Sequence, residues 1–328
     1  MAGVQGSALA VAVSNAGGLG SLPCAMLTLD ALRTELQAIK AQTKQPFNVN
    51  FFCHTPPVAD AATAAAWQTA LSPYYDACGI NPHDVAPGPG RAPFSSEAAD
   101  VLEEFRPAVM SFHFGLPEPM LLARVKAWGT KIMASATTVD EALWLEAHGA
   151  DAVIAQGLEA GGHRSMFLTK ELTTQVGTFA LLPQIVQAVR IPVIAAGGIA
   201  DARGVAAAMA LGAAAVQVGT AYLLSPECST SPLHRAALKS EAARHTALTN
   251  LFTGAPARGV VNRLMRELGP MSTAVPAFPL ATTAIAPLRM EAESRGSDDF
   301  TPLWCGQNAS ACQEIPAAEV TRHLASRS

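Results

Sequence analysis

Seven short, continuously apolar runs, each followed by an Ala- and Leu-rich stretch with helical spacing, constrain this chain more than any other feature. The runs are GLGSLP (18–23), PFNVNFF (46–52), AVMSFHFG (108–115), KIMASA (131–136), DAVIAQG (151–157), PVIAAGG (192–198) and AAVQVGT (214–220). They do not alternate apolar with polar, which is how strands buried on both faces of a parallel sheet read. The helical windows are 4–15, 28–43, 95–106, 118–128, 138–148, 180–190 and 201–211. Asp30, Ser95 and Asp201 stand as helix N-caps, and Thr138-Val-Asp-Glu141 has the spacing of a capping box. Seven such repeats predict a (β/α)8 barrel, a fold of about 250 residues. An open doubly wound sheet is the other architecture this alternation permits. Helical spacing begins within a few residues of Met1, so the first barrel strand is absent from the pattern.

Two segments stand outside the repeat. Residues 54–94 (HTPPVAD, an Ala-rich helix, then HDVAPGPGRAPF) read as an insertion after a strand. Residues 223–296 read as a helical cap with breaks at Pro256, Pro270, Pro276, Pro279 and Pro287, and 297–328 as a return to the barrel. The expected division is therefore a barrel over 1–222, a smaller, mainly helical domain over 223–296, and the returning tail. The chain can bury a large core, because 50% of its residues are hydrophobic and only 15% charged. Twenty-two Lys and Arg against 26 Asp and Glu leave a net charge of −4, which argues against nucleic acid as a partner. No apolar run is long enough for a membrane span, and the start lacks a basic n-region and cleavage site. Six scattered cysteines without CxxC spacing read as reduced thiols. A cytoplasmic protein, monomeric or weakly dimeric, is the expectation, with no metal site.

Chemistry on such barrels gathers at the C-terminal ends of the strands. Three glycine-bearing ends stand out. Ala195-Ala196-Gly197-Gly198 and Gln217-Val218-Gly219-Thr220 are consecutive, and paired loops there form the usual barrel phosphate site. Glycine suits such loops because a Cβ would block an anion's approach to the backbone. The plainer alternative is that these glycines only permit tight turns. The third end is Gln156-Gly-Leu-Glu-Ala-Gly161-Gly162-His163-Arg164. A histidine beside two glycines can approach a bound ring, and its ordinary pKa near 6.5 suits a general base; a loop histidine held for structure is the alternative. His113 ends the SFHFG run with the same two readings. Asn50 ends NVN, where an amide can read a ring edge, and Asn48 shares its face. The turn at Gly88-Pro-Gly90 is no dinucleotide fingerprint. There is no GxxxxGK[ST], GxSxG or HExxH.

The block GLEAGGHR, followed by LLPQIVQAVRIPVIAAGGIADARGVAAAMALGAAAVQVGTAYL, resembles the FMN-dependent nitronate monooxygenases, formerly 2-nitropropane dioxygenases. It also resembles the flavin-dependent enoyl-acyl-carrier-protein reductases, which share the fold. SFHFGLP (111–117), TPLWCGQ (301–307) and MAGVQGSALAVAVSNAGGLG are similar to the larger, class I, nitronate monooxygenase branch. The resemblance implies non-covalent FMN in the barrel under a substrate domain, with His163 as the catalytic histidine and His113 as the second motif's histidine. FMN contacts carry over to Met1, Ala2, Gly3, Asn50, Gln156, Gly161, Gly162, Ala196, Gly197, Gly198, Gln217, Gly219 and Thr220, with Gln307 near the site. The implied reaction oxidises alkyl nitronates, such as propionate 3-nitronate, or nitroalkanes, with dioxygen to a carbonyl compound and nitrite. His163 would stabilise the nitro anion or take the α-proton. Two departures stand out: Ser165 where the family writes GGHRG, and Phe278 where many relatives have Tyr. The competing activity is an NAD(P)H-dependent FMN reductase acting on an enoyl thioester or a quinone. A non-catalytic flavin or phosphate barrel is a further alternative. An isomerase-type or PLP barrel would need a strand-end lysine, which Lys126, Lys131 and Lys170 do not supply.

Overall fold

A computed structural model of the chain describes residues 1–81 and 90–326. His83 and the Gly88-Pro89 part of the turn at 88–90 lie outside the described residues. In chain order the strands are β1 (Gly20–Pro23), β2 (Phe47–Phe52), β3 (Val109–His113), β4 (Lys131–Ala136), β5 (Ala152–Gln156), β6 (Gly162–His163), β7 (Val193–Ala196), β8 (Ala215–Gln217), β9 (Thr246–Thr249) and β10 (Ala257–Val260). The helices are α1 (Ser7–Asn15), α2 (Leu29–Gln42), α3 (Ala61–Cys78), α4 (Ser96–Phe105), α5 (Pro119–Ala127), α6 (Val139–Ala147), α7 (Thr178–Ala188), α8 (Ala202–Ala210), α9 (Pro232–Lys239), α10 (Arg263–Leu268), α11 (Thr282–Ser294) and α12 (Ala317–Ala325).

Seven parallel strands lie side by side in the order β1-β2-β3-β4-β5-β7-β8. The helices that follow them cover the outer face, giving a TIM-barrel-like half-barrel. Strands β1 and β8 form its two edges and share no ladder. The N-terminal segment runs between them: Gln5 bridges Cys228, Ser229 N–H donates to Val4 O at 2.9 Å, and Gln5 Nε2 donates to Ser21 O at 2.5 Å. The main core is the sheet's apolar runs against the helices, with Leu22, Val49, Met110, Ile132, Leu36, Ile39, Leu182 and Ile185 fully buried. That burial is what continuous apolar strands require.

The helix starts mostly follow their sequence signals. Ser95 accepts from Ala98 N–H, Asp201 from Gly204 N–H and Thr138 from Glu141 N–H. Helix α2 differs: its cap is Thr28, which accepts from Ala31 N–H at 3.2 Å. Asp30 lies in the first turn, where its charge still favours the helix dipole. The capping box at Thr138 is only half made. The buried Glu141 carboxylate turns inward to accept from Thr137 N–H and Oγ1, both at 2.7 Å, and from Phe167 N–H at 2.8 Å.

A second apolar core lies beyond the strand ends. Trp67, Leu71 and Tyr75 of α3 pack with Leu251, Phe252, Leu264, Ile285 and Leu288. The insertion and the segment after the barrel therefore share one core. The 223–296 segment is not wholly helical, however. It contributes β9 and β10, which join β6 in an antiparallel sheet of order β6-β10-β9. The pairing of β10 with β6 is long-range and leaves no local period to read. Pro287 lies inside α11 and does not break it. The returning tail meets the barrel at Gln307 N–H to Glu159 O, 2.9 Å, and at Gly306 N–H to Thr220 Oγ1, 3.0 Å.

Candidate active site

Sheet register gathers three of the sequence-predicted residues in one row: Gln156 pairs with Ala196, and Ala196 with Gln217. Immediately beyond lie Gly197, Gly198, Gly219 and Thr220. Gly197 (φ 117°) and Gly198 (φ 72°) hold left-handed conformations that favour glycine. A Cβ on Gly197 would sit 2.7 Å from Thr178 Oγ1 and 3.1 Å from Ala160 N. Among the described residues, no partner is found for the amides of Gly197, Gly198 and Gly219. Unpaired amides on two neighbouring loops are the donors that an anion-binding loop presents. The nearby helix ends are already occupied: Glu159 accepts from Thr178 N–H at the start of α7, and Asp201 from Gly204 N–H in the first turn of α8. Met1 reaches the same place, its Sδ 3.6 Å from where a Gly219 Cβ would lie. Ala2 and Gly3 follow it, Gly3 beside Met26.

The loop after β5 is held by buried polar bonds. Gln156 spends both ends of its amide on it, donating to His163 O at 2.9 Å and accepting from Ser165 N–H at 2.9 Å. His113 Nε2 lies 3.0 Å from the same His163 O. Arg164 is 1% exposed and donates to Gln175 Oε1, Gly157 O and Gln156 O. Gly161 is demanded by packing, since a Cβ there would lie 2.5 Å from Gly306 N. Gly162 (φ 72°) faces open space. His113 and Gln156 thus fix the backbone that carries the His163 ring.

That ring stands against an aromatic wall. Its centroid lies 5.2 Å from Phe278, 5.5 Å from Trp304, 6.1 Å from Phe52 and 6.2 Å from Phe114. Nε2 is 2.9 Å from Thr253 Oγ1, and Nδ1 makes no hydrogen bond with the described residues. Burial pulls the His163 pKa well below 6.5, and the charges of Arg91, His113 and His54 push the same way. His113 is lowered to about 4, again mainly by burial. Both imidazoles are therefore neutral at neutral pH.

On the neighbouring strands, Asn50 Nδ2 donates to Ser111 Oγ at 2.9 Å and to Ser111 O, so its Oδ1 stays free to accept. Asn48 donates to Ser21 and to the same Ser111 hydroxyl, which places both asparagines on one face. The Asn48 Oδ1 is buried without a partner among the described residues. A cradle of free amides, an acceptor amide and a neutral histidine on an aromatic wall fit a flavin's phosphate and ring.

Sequence reasoning missed Phe52, His54, Arg91, Phe114, Thr253 and Trp304. Phe114 and Trp304 stood inside the SFHFGLP and TPLWCGQ blocks. His54, Arg91 and Thr253 reach the site only through the packing of the insertion and the β9–β10 hairpin, which no local pattern announces. Among the described residues, no group of three or more His, Cys, Asp or Glu is placed to hold a metal ion. No helix among them is long and apolar enough to cross a membrane.

Fold and site together define a half-barrel protein with unpaired loop amides and a buried histidine beyond its strand ends, and comparison with known proteins narrows the class. Residues 1–326 match the family model described as nitronate monooxygenase. A nitronate monooxygenase of Paraburkholderia phytofirmans is 42% identical over 331 residues, covering 99% of this chain and 89% of the relative. One of Pseudomonas aeruginosa is also 42% identical, covering 99% and 93%. Among solved structures, nitroalkane oxidase from Streptomyces ansochromogenes superposes with a TM-score of 0.90 at 38% identity, covering 99% and 92%. FabK from Thermotoga maritima gives 0.72 at 29%, covering 99% and 89%. The chain belongs to the nitronate monooxygenase family, whose members are flavin-dependent oxidoreductases.

Proposed function

We propose that the chain uses FMN to oxidise alkyl nitronates, propionate 3-nitronate among them, with dioxygen to a carbonyl compound and nitrite. The observation that supports this is a neutral His163 against an aromatic wall, its Nδ1 without a bonded partner among the described residues, on a barrel whose strand ends also carry two loops of unpaired amides. The amides of Gly197, Gly198, Gly219 and Thr220 would hold the phosphate, and Asn50 Oδ1 would accept from the ring edge. Met1, Ala2, Gly3, Gly162, Ala196 and Gln217 would line the same channel. FMN supplies the electron transfer between nitronate and dioxygen; the protein orients the reactants. The neutral His163 ring takes the α-proton of a nitroalkane at Nδ1 while Thr253 holds Nε2. Phe52, Phe114, Phe278 and Trp304 make the surroundings of the ring apolar. Gln156 and His113 act through the His163 carbonyl and so position the base.

The test has two parts. Heat denaturation should release a yellow cofactor that co-migrates with FMN. Anaerobic mixing with propionate 3-nitronate should bleach the visible absorbance, while NADH and NADPH should not. Rapid bleaching by a nicotinamide and none by the nitronate would assign the reductase activity instead.

A further inference from the structure

We propose that Arg91, carried by the insertion, selects nitronates that bear a second negative charge, a carboxylate, by pairing with it. The assignment rests on the nitronate reading of the same site. Arg91 Cζ lies 5.9 Å from the centroid of the Phe278 ring, and that ring is 5.2 Å from His163. One aromatic side chain therefore touches both the base and the cation. His54, whose ring is 4.9 Å from Phe278, lies close to the backbone of Arg91.

Among the described residues the guanidinium makes few bonds. Nη1 donates to Thr282 Oγ1 at 2.9 Å, and no carboxylate pairs with Arg91 among the described residues. The other arginines that pair with no carboxylate there are exposed, apart from Arg164 and Arg258, which are buried and differently placed. Arg164 spends three donors on carbonyl and amide oxygens, and Arg258 bonds Leu158 O and Thr246. Arg91 is half-buried, with a neutral hydroxyl as its bonded partner among the described residues. A guanidinium taken partly out of water is favoured by an anion that can accept from its remaining donors. Its charge is also the leading charge effect on His163, so its field reaches the reacting end.

A nitronate with its reacting carbon at His163 would extend its tail along Phe278 toward Arg91. A tail ending in a carboxylate completes the pair; an alkyl tail leaves the cation as it was. Arg91 is then a residue of substrate specificity, whereas His163 serves both kinds of substrate alike.

The experiment compares propionate 3-nitronate with propyl-1-nitronate, which lacks the carboxylate, in the holoenzyme and in R91M and R91K. R91M should raise KM for propionate 3-nitronate about tenfold or more, the size of a lost charge-assisted pair, with kcat little changed. KM for propyl-1-nitronate should stay within about twofold, and R91K should recover part of the loss. Equal shifts for both substrates, or no shift for either, would overturn the assignment. Calorimetric binding of succinate and of its neutral diamide to the same proteins keeps the two claims apart. If the wild type oxidises neither nitronate, the nitronate reading falls. Succinate binding that weakens about tenfold in R91M, with diamide binding unchanged, would still support Arg91 as the carboxylate's partner. Succinate binding that R91M leaves unchanged would overturn it.

Discussion

On the barrel side the site is built from backbone: the turns at 197–198 and 219–220 offer amides, and the side chains there are small or absent. On the facing side it is built from side chains, with Phe278, Trp304, Thr253 and Arg91 carried by segments that share the Trp67 core or bridge to it. The two walls answer to different constraints. A backbone cradle needs glycine at fixed places after fixed strands, so little of it can vary without losing the anion. A side-chain wall needs only a packed surface of suitable shape, so it can change residue by residue and alter what is bound. His163 stands at the seam. It follows barrel strand β5, yet its own short strand β6 is paired with β10 of the second lobe. Chemistry should therefore depend on both walls, cofactor retention mainly on the first and substrate choice mainly on the second.

The largest expected effect falls at the seam. H163N removes the base but keeps a polar side chain of smaller size. It should lower kcat/KM for a neutral nitroalkane toward the upper end of the about 10²–10⁴-fold that general-base catalysis supplies. Oxidation of a preformed nitronate, which needs no proton removed, should fall less than about tenfold by the same reasoning. Equal losses would break the assignment of proton transfer to this ring. The pH profile sharpens it. Because burial depresses the His163 pKa, the imidazole is unprotonated and competent at pH 6.5 and above. Activity on nitroalkanes should stay level as pH falls to 6.5 and decline only below it, as Nδ1 gains a proton. An acid limb centred above 6.5 would contradict the buried site.

The independence of the walls can be broken at Trp67, which is 1% exposed in the second core. W67A should cost about 3–5 kcal/mol, the usual result of emptying a large aromatic site. Urea denaturation followed by far-UV circular dichroism should show part of the helical signal lost before the flavin is released. Coincident transitions would mean that the two cores unfold as one unit and that the comparison between walls has no energetic counterpart.

The same division explains what the sequence disclosed. The seven strands of the half-barrel and its glycine turns were readable because burial on both faces leaves continuous apolar runs, and positive φ leaves glycine. Gln156, Ala196 and Gln217 lie in one row because each ends its strand, which is a local property. The hairpin β9–β10 was not readable, nor was Thr253 beside His163. The contact of Thr253 with His163 joins residues 90 apart in the chain, and β10 meets β6 across a similar span. Pro287 misled because a proline within a helix costs one hydrogen bond, and tertiary packing of Ile285 and Leu288 outweighs that. Asp30 misled because cap and first-turn positions favour the same residue types.

Ser165 offers the finest test of how firmly the seam is held. It stands where the family pattern has glycine, and it is fully buried. Its hydroxyl accepts from Phe114 N–H at 3.0 Å and lies 3.3 Å from Ser135 O. Phe114 has φ 68°, a conformation that costs a non-glycine residue about 1–2 kcal/mol. Its ring forms part of the wall against His163. The serine thus ties a strained aromatic residue of the first half of the barrel to the loop that carries the base. S165A leaves the Phe114 amide without that acceptor, and should destabilise the protein by about 1–3 kcal/mol in urea titrations. KM for nitronates should rise by only a few-fold, since the ring can relax without leaving the wall. If S165A is as stable as the wild type and S165G likewise, the positive φ is imposed by ring packing alone. The hydroxyl would then be a passenger in a site that the family's glycine serves equally well.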